Sequence, residues 1–137
     1  MAIKVVIDTN LWISFLISNR LSQLDDLLKS NQVKIAYSNE LLNEFVEVAR
    51  RPKFQKFFTE LEIILALRIL EVHGTLVDVK SDIKVCRDPK DNFLMNLAVD
   101  ANARFLITGD DDLLVIEQIE NTKILQWAAF LEEIDMI

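Results

Sequence analysis

The chain has 137 residues, a formal net charge of −7 and one cysteine, and 51% of its residues are apolar. A single cysteine excludes an internal disulfide framework and suits a reducing compartment. The acidic balance argues against a protein that holds nucleic acid on a broad basic surface. A nuclease with clustered acids is still compatible with this charge, because bound cations return positive charge to such a site.

Several sequence features that the chain lacks exclude further classes of protein. No apolar run approaches the length needed to span a bilayer, and the first ten residues, MAIKVVIDTN, lack the apolar segment and cleavage site of a signal peptide. We therefore expect a cytoplasmic protein with no membrane contact. Neither GxxxxGK[ST] nor GxGxxG occurs, so a nucleotide-cofactor loop is not expected. Without linkers or repeats, residues 1–137 are expected to form one domain.

Short β-rich runs alternate with longer helical stretches along the chain. Strands are predicted at 3–8, 33–38, 75–79, 104–109 and 122–127. Helices are predicted at roughly 11–30 (one helix or two), 39–50, 60–73, 91–103, 112–119 and 128–135. The first and fourth strands are almost wholly apolar, which is typical of strands covered on both faces. The pattern predicts an α/β fold, a three-layer α/β/α sandwich with a central, mainly parallel sheet of four to five strands.

Acidic residues follow the two most apolar strands, at the edge where open parallel sheets bind ligands. Asp8 ends the first strand in VVIDTN, and three aspartates follow the fourth strand in FLITGDDDLL. Asp110 continues directly from the strand and is the favoured ligand, Asp112 is second, and Asp111 is expected to face water. Helix capping is the alternative role for this tract, although one cap does not require three carboxylates.

A glutamate on the helix at 39–50 is a further candidate. At about 100° per residue, Glu44 lies at the edge of the apolar stripe of this helix. Glu40 and Glu47 lie further round toward solvent. A solvated glutamate flanking the stripe fits the same pattern equally well.

The segment CRDPKDNFLMNLA supplies the last candidate acid. Asp88 and Pro89 have the pattern of an N-cap and a first helical residue. Asp91 then lies in the first turn on the apolar side, whereas Asp100 falls on the polar side. Helix capping and metal ligation are equally compatible with the position of Asp91.

Charge repulsion favours a metal site over a group of isolated acids. Two carboxylates about 4 Å apart repel by roughly 4 kcal/mol at an effective dielectric constant near 20. Three or four of them at one sheet edge therefore need protons or a cation. Oxygen ligands suit Mg²⁺ or Mn²⁺ rather than zinc, and Mg²⁺ held in this way also takes phosphate oxygens. Phosphoryl chemistry is the predicted class of reaction.

Other chemistry-bearing residues have weaker cases. His73 is the sole histidine, so a histidine triad or multi-histidine site is not expected, and Cys86 fits an incidental thiol better than a nucleophile. In the stretch ARRPKFQKFF, Arg50, Arg51 and Lys53 are candidate contacts to the phosphates of a nucleic acid. A solvated helix end is the commoner meaning of such a basic stretch.

Four ordered segments together resemble the PIN domain: VVIDTNLWIS, the acid-bearing helix after the second strand, CRDPKDNFLMNLA and FLITGDDDLL. The resemblance covers essentially the whole chain and is nearest to the VapC-like toxins of bacterial and archaeal toxin–antitoxin systems. It implies an α/β/α endoribonuclease that depends on Mg²⁺ or Mn²⁺. The catalytic and metal-binding acids that it implies are Asp8, Glu44, Asp91 and Asp110, with Asp112 as an accessory ligand.

The resemblance also implies supporting residues, partners and a mechanism. Asn10 would orient Asp8 or a metal-bound water, and Thr108 occupies the polar position before the fourth acid. The implied partners are an RNA substrate and a cognate antitoxin that covers the acidic cleft, and a homodimer is left open. The implied mechanism is phosphodiester hydrolysis in which metal ions lower the pKa of the attacking water and steady the leaving oxygen.

Three alternatives stay open. A structure-specific DNA nuclease of the same superfamily normally needs insertions for which 137 residues leave little room. A phospho-acceptor receiver domain needs an aspartate ending its central strand and a lysine ending a late one, whereas TLVDVK places Asp78 inside a strand. A non-catalytic PIN-like binding module would keep the fold alone, and the intact set of acids disfavours it.

Overall fold

The computed structural model describes residues 2–135. Its sheet of six strands lies between layers of helices, and two short 3₁₀ turns cover Pro52–Phe54 and Pro89–Asp91. No helix within the described range is long and apolar enough to cross a membrane. The elements are β1 (Ile3–Ile7), α1 (Thr9–Ile17), α2 (Leu21–Lys29), β2 (Val33–Tyr37), α3 (Asn39–Ala49), α4 (Glu60–His73), β3 (Gly74–Leu76), α5 (Asn92–Asp100), β4 (Phe105–Ile107), α6 (Asp111–Leu114), β5 (Gln118–Ile119), β6 (Thr122–Leu125) and α7 (Trp127–Asp135).

The sheet has the strand order β3-β2-β1-β4-β6-β5, and every neighbouring pair is parallel except β5 and β6. The predicted three-layer α/β fold is therefore confirmed. β1 and β4 are adjacent, with Val5 opposite Phe105 and Ile7 opposite Ile107. Their carboxyl ends consequently meet at one edge, where the backbone N–H of Asp8 donates to the carbonyl of Ile107 at 3.0 Å.

Successive side chains of the two central strands enter opposite cores, as the pleat of a strand requires. Val5 and Ile7 pack on the side of α1, α2, α4 and α7. Val6 and Leu106 pack on the other side, against α5 and α6. β1 and β4 are thus covered on both faces, which makes them a rigid support for the residues that follow them.

The sheet has one strand more than the predicted maximum of five, and the additional strand replaces the end of a predicted helix. The helix predicted at 112–119 ends at Leu114, and β5 pairs with β6 in an antiparallel hairpin. Glu117 and Glu120 have φ values of 66° and 48°, and these left-handed conformations break the helix and turn the chain. The apolar spacing in this segment is compatible with both structures, so periodicity did not reveal the break.

The strand predicted at 75–79 ends at Leu76, and residues 77–88 are a segment that contains no helix or strand. Three side chains of α5 at four-residue spacing, Asn92, Asn96 and Asp100, bind its backbone. The N–H groups that they hold, at 2.6–3.0 Å, belong to Lys80, Ser81, Ile83 and Cys86. This segment is therefore fixed along α5 up to the residue before Arg87.

Candidate metal centre

Three carboxylates converge beside the carboxyl ends of β1 and β4. Asp91, Asp110 and Asp112 each contribute one oxygen, and these oxygens lie within 4.8 Å of one another. Each ionised pair at such a separation repels by roughly 3 to 4 kcal/mol at an effective dielectric constant near 20. We call these three residues the acidic triad; in its ionised form it requires a neighbouring positive charge.

Two members of the triad are placed by the start of α6. Asp110 is the N-cap, and its Oδ1 accepts the backbone N–H of Asp112 at 2.9 Å. Capping by Asp110 is therefore real, and it coexists with the convergence of the acids. Asp111 is exposed, as predicted.

Asp91 belongs to the triad, and its carboxylate is not engaged in a capping hydrogen bond. Asp88 is the N-cap of the 3₁₀ turn that begins at Pro89, and its Oδ1 accepts the N–H of Lys90 at 3.1 Å. Within residues 2–135, Asp91 makes no capping hydrogen bond to α5. Asp91 nevertheless occupies the N-cap position of α5, so an interaction with the helix dipole and metal ligation both stay compatible with its position.

Burial and neighbouring negative charges raise the pKa of Asp91 to about 6. Burial has the largest effect, followed by the charge of Asp110, and then by Asp88, Asp8 and Glu44. Asp8 and Glu44 therefore act on the triad electrostatically. A cation bound by these carboxylates would reverse the shift, since it favours the ionised form.

Asp8 is 5% exposed and caps α1. Its Oδ2 accepts the hydroxyl of Thr108 at 2.7 Å, and its Oδ1 accepts the backbone N–H of Asn10 at 3.4 Å. Burial raises the pKa of Asp8, and the charge of Asp110 adds to this, whereas the hydrogen bonds from Thr108 and Asn10 oppose it. Asn10 supports Asp8 through its backbone, and its side chain is exposed.

Thr108 joins two of the acids. Besides donating to Asp8, its Oγ1 accepts the backbone N–H of Asp110 at 3.1 Å. The hydroxyl is buried. In the sequence, Thr108 is two residues from Asp110 and one hundred residues from Asp8. It therefore fixes the end of β1 relative to the start of α6.

We expect Thr108→Val to weaken Mn²⁺ binding by about 10- to 100-fold. Valine has a similar shape, but it cannot donate to Asp8 or accept from Asp110. The free energy of unfolding should also fall by about 1 to 3 kcal/mol, because buried polar groups lose their partners. Calorimetric Mn²⁺ titration and urea unfolding measure the two effects.

Thr122→Val is the matched control for this substitution. Thr122 is also buried, and its hydroxyl donates to the carbonyl of Ala103 at 2.6 Å, at the opposite edge of the sheet. We expect a comparable loss of stability with unchanged Mn²⁺ affinity. Equal Mn²⁺ affinities of the two variants would contradict the bridging role of Thr108.

Glu44 is partly buried, whereas Glu40 and Glu47 are exposed, as the helical periodicity predicted. Its Oε2 accepts the hydroxyl of Thr9 at 2.9 Å, and Thr9 directly follows Asp8. Burial raises the pKa of Glu44, and the charges of Asp8 and Glu47 add to the increase. Glu44 is thus tied to the end of β1 through a buried threonine.

The structure divides the five predicted acids into two sets. The oxygens closest to one another belong to Asp91, Asp110 and Asp112, so the residue expected to be accessory is part of the tightest group. Asp8 and Glu44 lie outside this group of three. Their carboxylates accept hydrogen bonds from the hydroxyls of Thr108 and Thr9, respectively.

The basic residues predicted to contact phosphates have partners within the protein. Arg50 pairs with Glu60 at 2.6 Å, and Arg51 pairs with Glu47 at 3.2 Å. Lys53 lies over the ring of the next residue, with its Nζ 5.1 Å from the ring centroid. Both arginine side chains are about half exposed, at 55% and 47%, so each keeps donors that face solvent beside its carboxylate partner.

Two residues next to the triad, Arg87 and Cys86, were not predicted from the sequence to lie there. Arg87 pairs with Asp112, with 2.8 Å between its Nη2 and Oδ1 of the aspartate. The only signal for this contact was a basic residue immediately before the Asp88 cap. Cys86 is partly buried, and burial together with the neighbouring acids, Asp91 first among them, raises the pKa of its thiol to about 11. Such a thiol is protonated at neutral pH, which disfavours a nucleophilic role.

The donor set of the triad suits a hard divalent cation. Its members supply only carboxylate oxygens, and burial followed by the neighbouring carboxylates raises the pKa of Asp91. Open, mainly parallel α/β sheets bind their ligands at the carboxyl edge of the strands. Acids at this edge are the arrangement expected of a protein that binds a divalent cation there.

Comparison with known proteins gives the family. The sequence profile of the PIN domain matches residues 4–112, and the chain therefore belongs to the PIN domain family. PIN domains are generally metal-dependent nucleases, and all five candidate acids lie within the matched range. The chain is also 34% identical over 115 residues to an uncharacterized protein of Methanocaldococcus jannaschii, an alignment that covers 82% of this chain and 74% of that relative.

Proposed function

We propose that this protein is an endoribonuclease that hydrolyses RNA phosphodiester bonds with Mg²⁺ or Mn²⁺. The observation that carries the proposal is the convergence of three carboxylate oxygens within 4.8 Å. An ionised group of this kind attracts a divalent cation, which would take phosphate oxygens as further ligands. Membership of a family of metal-dependent nucleases supports the same chemistry.

In this proposal each acid has a distinct task. Asp91, Asp110 and Asp112 hold the cation, which when bound supplies an activated water and stabilises developing negative charge. We assign Oδ1 of Asp8 rather than Oδ2 to the cation, because Oδ2 accepts the Thr108 hydroxyl at 2.7 Å and Oδ1 has a longer contact of 3.4 Å to the backbone N–H of Asn10. Glu44, held by the Thr9 hydroxyl, orients water at the edge of the triad.

RNA is proposed as the substrate rather than DNA on two grounds. The segments that resemble VapC-like toxins extend across the chain, from VVIDTNLWIS to FLITGDDDLL. The net charge of −7 and the internal pairing of Arg50 and Arg51 also favour a short contact to a looped or single strand over a long duplex footprint.

The test compares end-labelled oligonucleotides under identical conditions. Single-stranded RNA, hairpin RNA, single-stranded DNA and a DNA flap are incubated with Mg²⁺, Mn²⁺ or EDTA. We expect cleavage of the two RNAs with either metal and none with EDTA. Cleavage of DNA alone would replace the proposal with a DNA nuclease. Absence of cleavage together with measurable Mn²⁺ binding would favour a non-catalytic module.

We further propose that the enzyme is the toxin of a toxin–antitoxin pair. A feature compatible with a protein partner is the exposed apolar surface of α4, where Leu61 and Val72 are each 65% exposed. Induced expression should arrest growth, and coexpression of the adjacent open reading frame should relieve the arrest. Light scattering of the purified protein tests the homodimer separately. Growth unaffected by the active enzyme would contradict the toxin role.

A further inference from the structure

Arg87 occupies a fixed position at the border of the triad. The residue before it is held by α5, because the backbone N–H of Cys86 donates to Oδ1 of Asn92 at 3.0 Å. The residue after it, Asp88, caps the turn that leads to Asp91. The backbone on both sides of Arg87 is therefore anchored, so its side chain starts from a defined point near the acids.

The guanidinium of Arg87 reaches the triad itself. Its Nη2 lies 2.8 Å from Oδ1 of Asp112 and also donates to the backbone carbonyl of Asp111 at 3.4 Å. Among the ion pairs of residues 2–135, this is the one that joins a basic side chain to a triad carboxylate. The side chain of Arg87 is 61% exposed, so most of its surface faces solvent at the mouth of the site.

We propose that Arg87 binds the substrate: it neutralises Asp112 while no metal is bound and contacts a non-bridging oxygen of the scissile phosphate once the metal takes Asp112. This inference rests on the proposed function. Both contacts use the same chemistry, since a guanidinium presents five donors in a fork that matches carboxylates and phosphates alike. The exchange is feasible because an exposed ion pair contributes little free energy and is readily released.

The proposal predicts that loss of Arg87 changes the affinity for the metal and the affinity for RNA in opposite directions. Arg87 competes with the metal for Asp112 and repels it, so loss of the arginine should tighten metal binding. The same loss removes a charge-assisted hydrogen bond to phosphate, so RNA binding should weaken. A residue that merely held the loop in place would move both affinities in the same direction, because its loss would disorder Asp112.

The experiment measures both affinities in Arg87→Gln and in the matched control Arg104→Gln. Arg104 is also exposed, but it precedes β4 and thus lies at the opposite edge of the sheet. For Arg87→Gln we expect calorimetric Mn²⁺ affinity to rise about 2- to 5-fold without nucleic acid. Anisotropy of fluorescent RNA with Ca²⁺ should show about tenfold weaker binding. Arg104→Gln should match wild type in both, and Arg87→Lys should recover part of the RNA affinity.

The outcomes separate this inference from the proposed function. If Arg87→Gln lowers the Mn²⁺ affinity, or leaves both affinities equal to those of Arg104→Gln, the role of Arg87 is overturned. If the wild type cleaves no RNA, the proposed function fails. In that event, tighter Mn²⁺ binding and weaker RNA binding in Arg87→Gln would still support Arg87 as a phosphate contact, since neither readout requires turnover.

Discussion

Replacing Asp91 with asparagine is expected to lower metal-dependent RNA cleavage by about 10²- to 10³-fold. The amide keeps the shape of the side chain but removes one negative ligand from the three oxygens within 4.8 Å. Mn²⁺ binding should weaken together with the rate, because the remaining carboxylates attract the cation less strongly. Cleavage rates at saturating RNA and calorimetric Mn²⁺ titration measure the two effects.

Stability supplies a second readout that a purely structural residue would not give. The pKa of Asp91 is raised to about 6 by burial and by neighbouring carboxylates, so the ionised residue destabilises the metal-free fold at neutral pH. We therefore expect metal-free Asp91→Asn to melt at a higher temperature than the wild type. Lower melting temperature with lost activity would instead indicate damage to the fold.

The controls lie in the same acidic tract. Asp111→Asn makes the same chemical change at an exposed neighbour of two triad members, and we expect its cleavage rate to stay within about twofold of wild type. Asp8→Asn should resemble Asp91→Asn in its loss of activity. Full manganese-dependent cleavage by both Asp8→Asn and Asp91→Asn would refute the proposed assignment of the site.

Much of the fold could be predicted because the central strands carry an unambiguous pattern. β1 and β4 are short, largely apolar runs; Asp8 directly follows β1, and Thr108, Gly109 and Asp110 follow β4. This pattern requires burial on both faces and a ligand edge at the carboxyl ends. The positions of Asp8 and Asp110 follow from it. Periodicity likewise placed Glu44 between the apolar stripe and solvent.

The remaining features depend on contacts between distant segments, which a local pattern does not encode. The hydroxyl of Thr108 meets Asp8 across one hundred residues. Arg87 contacts Asp112, and the chain just before Arg87 is held next to α5 by Asn92. The local sequence around these residues does not predict that contact. The β5–β6 hairpin depends on left-handed conformations at two glutamates, residues that commonly occupy helices.

The ion pairs of the basic residues also show why the number of charged residues in a stretch does not predict which of them lies at the acidic site. Arg50 and Arg51 were predicted to contact phosphates, and in the structure they form exposed ion pairs with Glu60 and Glu47. Arg87, the basic residue that contacts the triad, lies outside the stretch that contains these two arginines. A protein with net charge −7 can therefore present positive charge to a phosphate at one defined point.

Lowering the pH from 7 to 5 is expected to weaken Mn²⁺ binding by about 10- to 100-fold. The cation binds ionised carboxylates, and the pKa of Asp91 is raised to about 6, so protons compete with the metal below that value. The pKa values of Asp8 and Glu44 are also raised by burial, which steepens the dependence. Calorimetric titration at half-unit intervals between pH 5 and pH 7.5 measures this effect, and cleavage should decline in parallel.

The stability of the metal-free protein should depend on pH in the opposite sense. The folded state binds the Asp91 proton more tightly than the unfolded chain, whose carboxyl has the ordinary pKa of 3.8. The contribution of this proton to stability is therefore complete below about pH 4 and is lost as the pH rises through 6. Thermal melts of the wild type should show this loss between pH 4.5 and pH 7, and Asp91→Asn should lack it. If saturating Mn²⁺ stabilised the wild type as much at pH 5 as at pH 7, competition between protons and metal would be excluded.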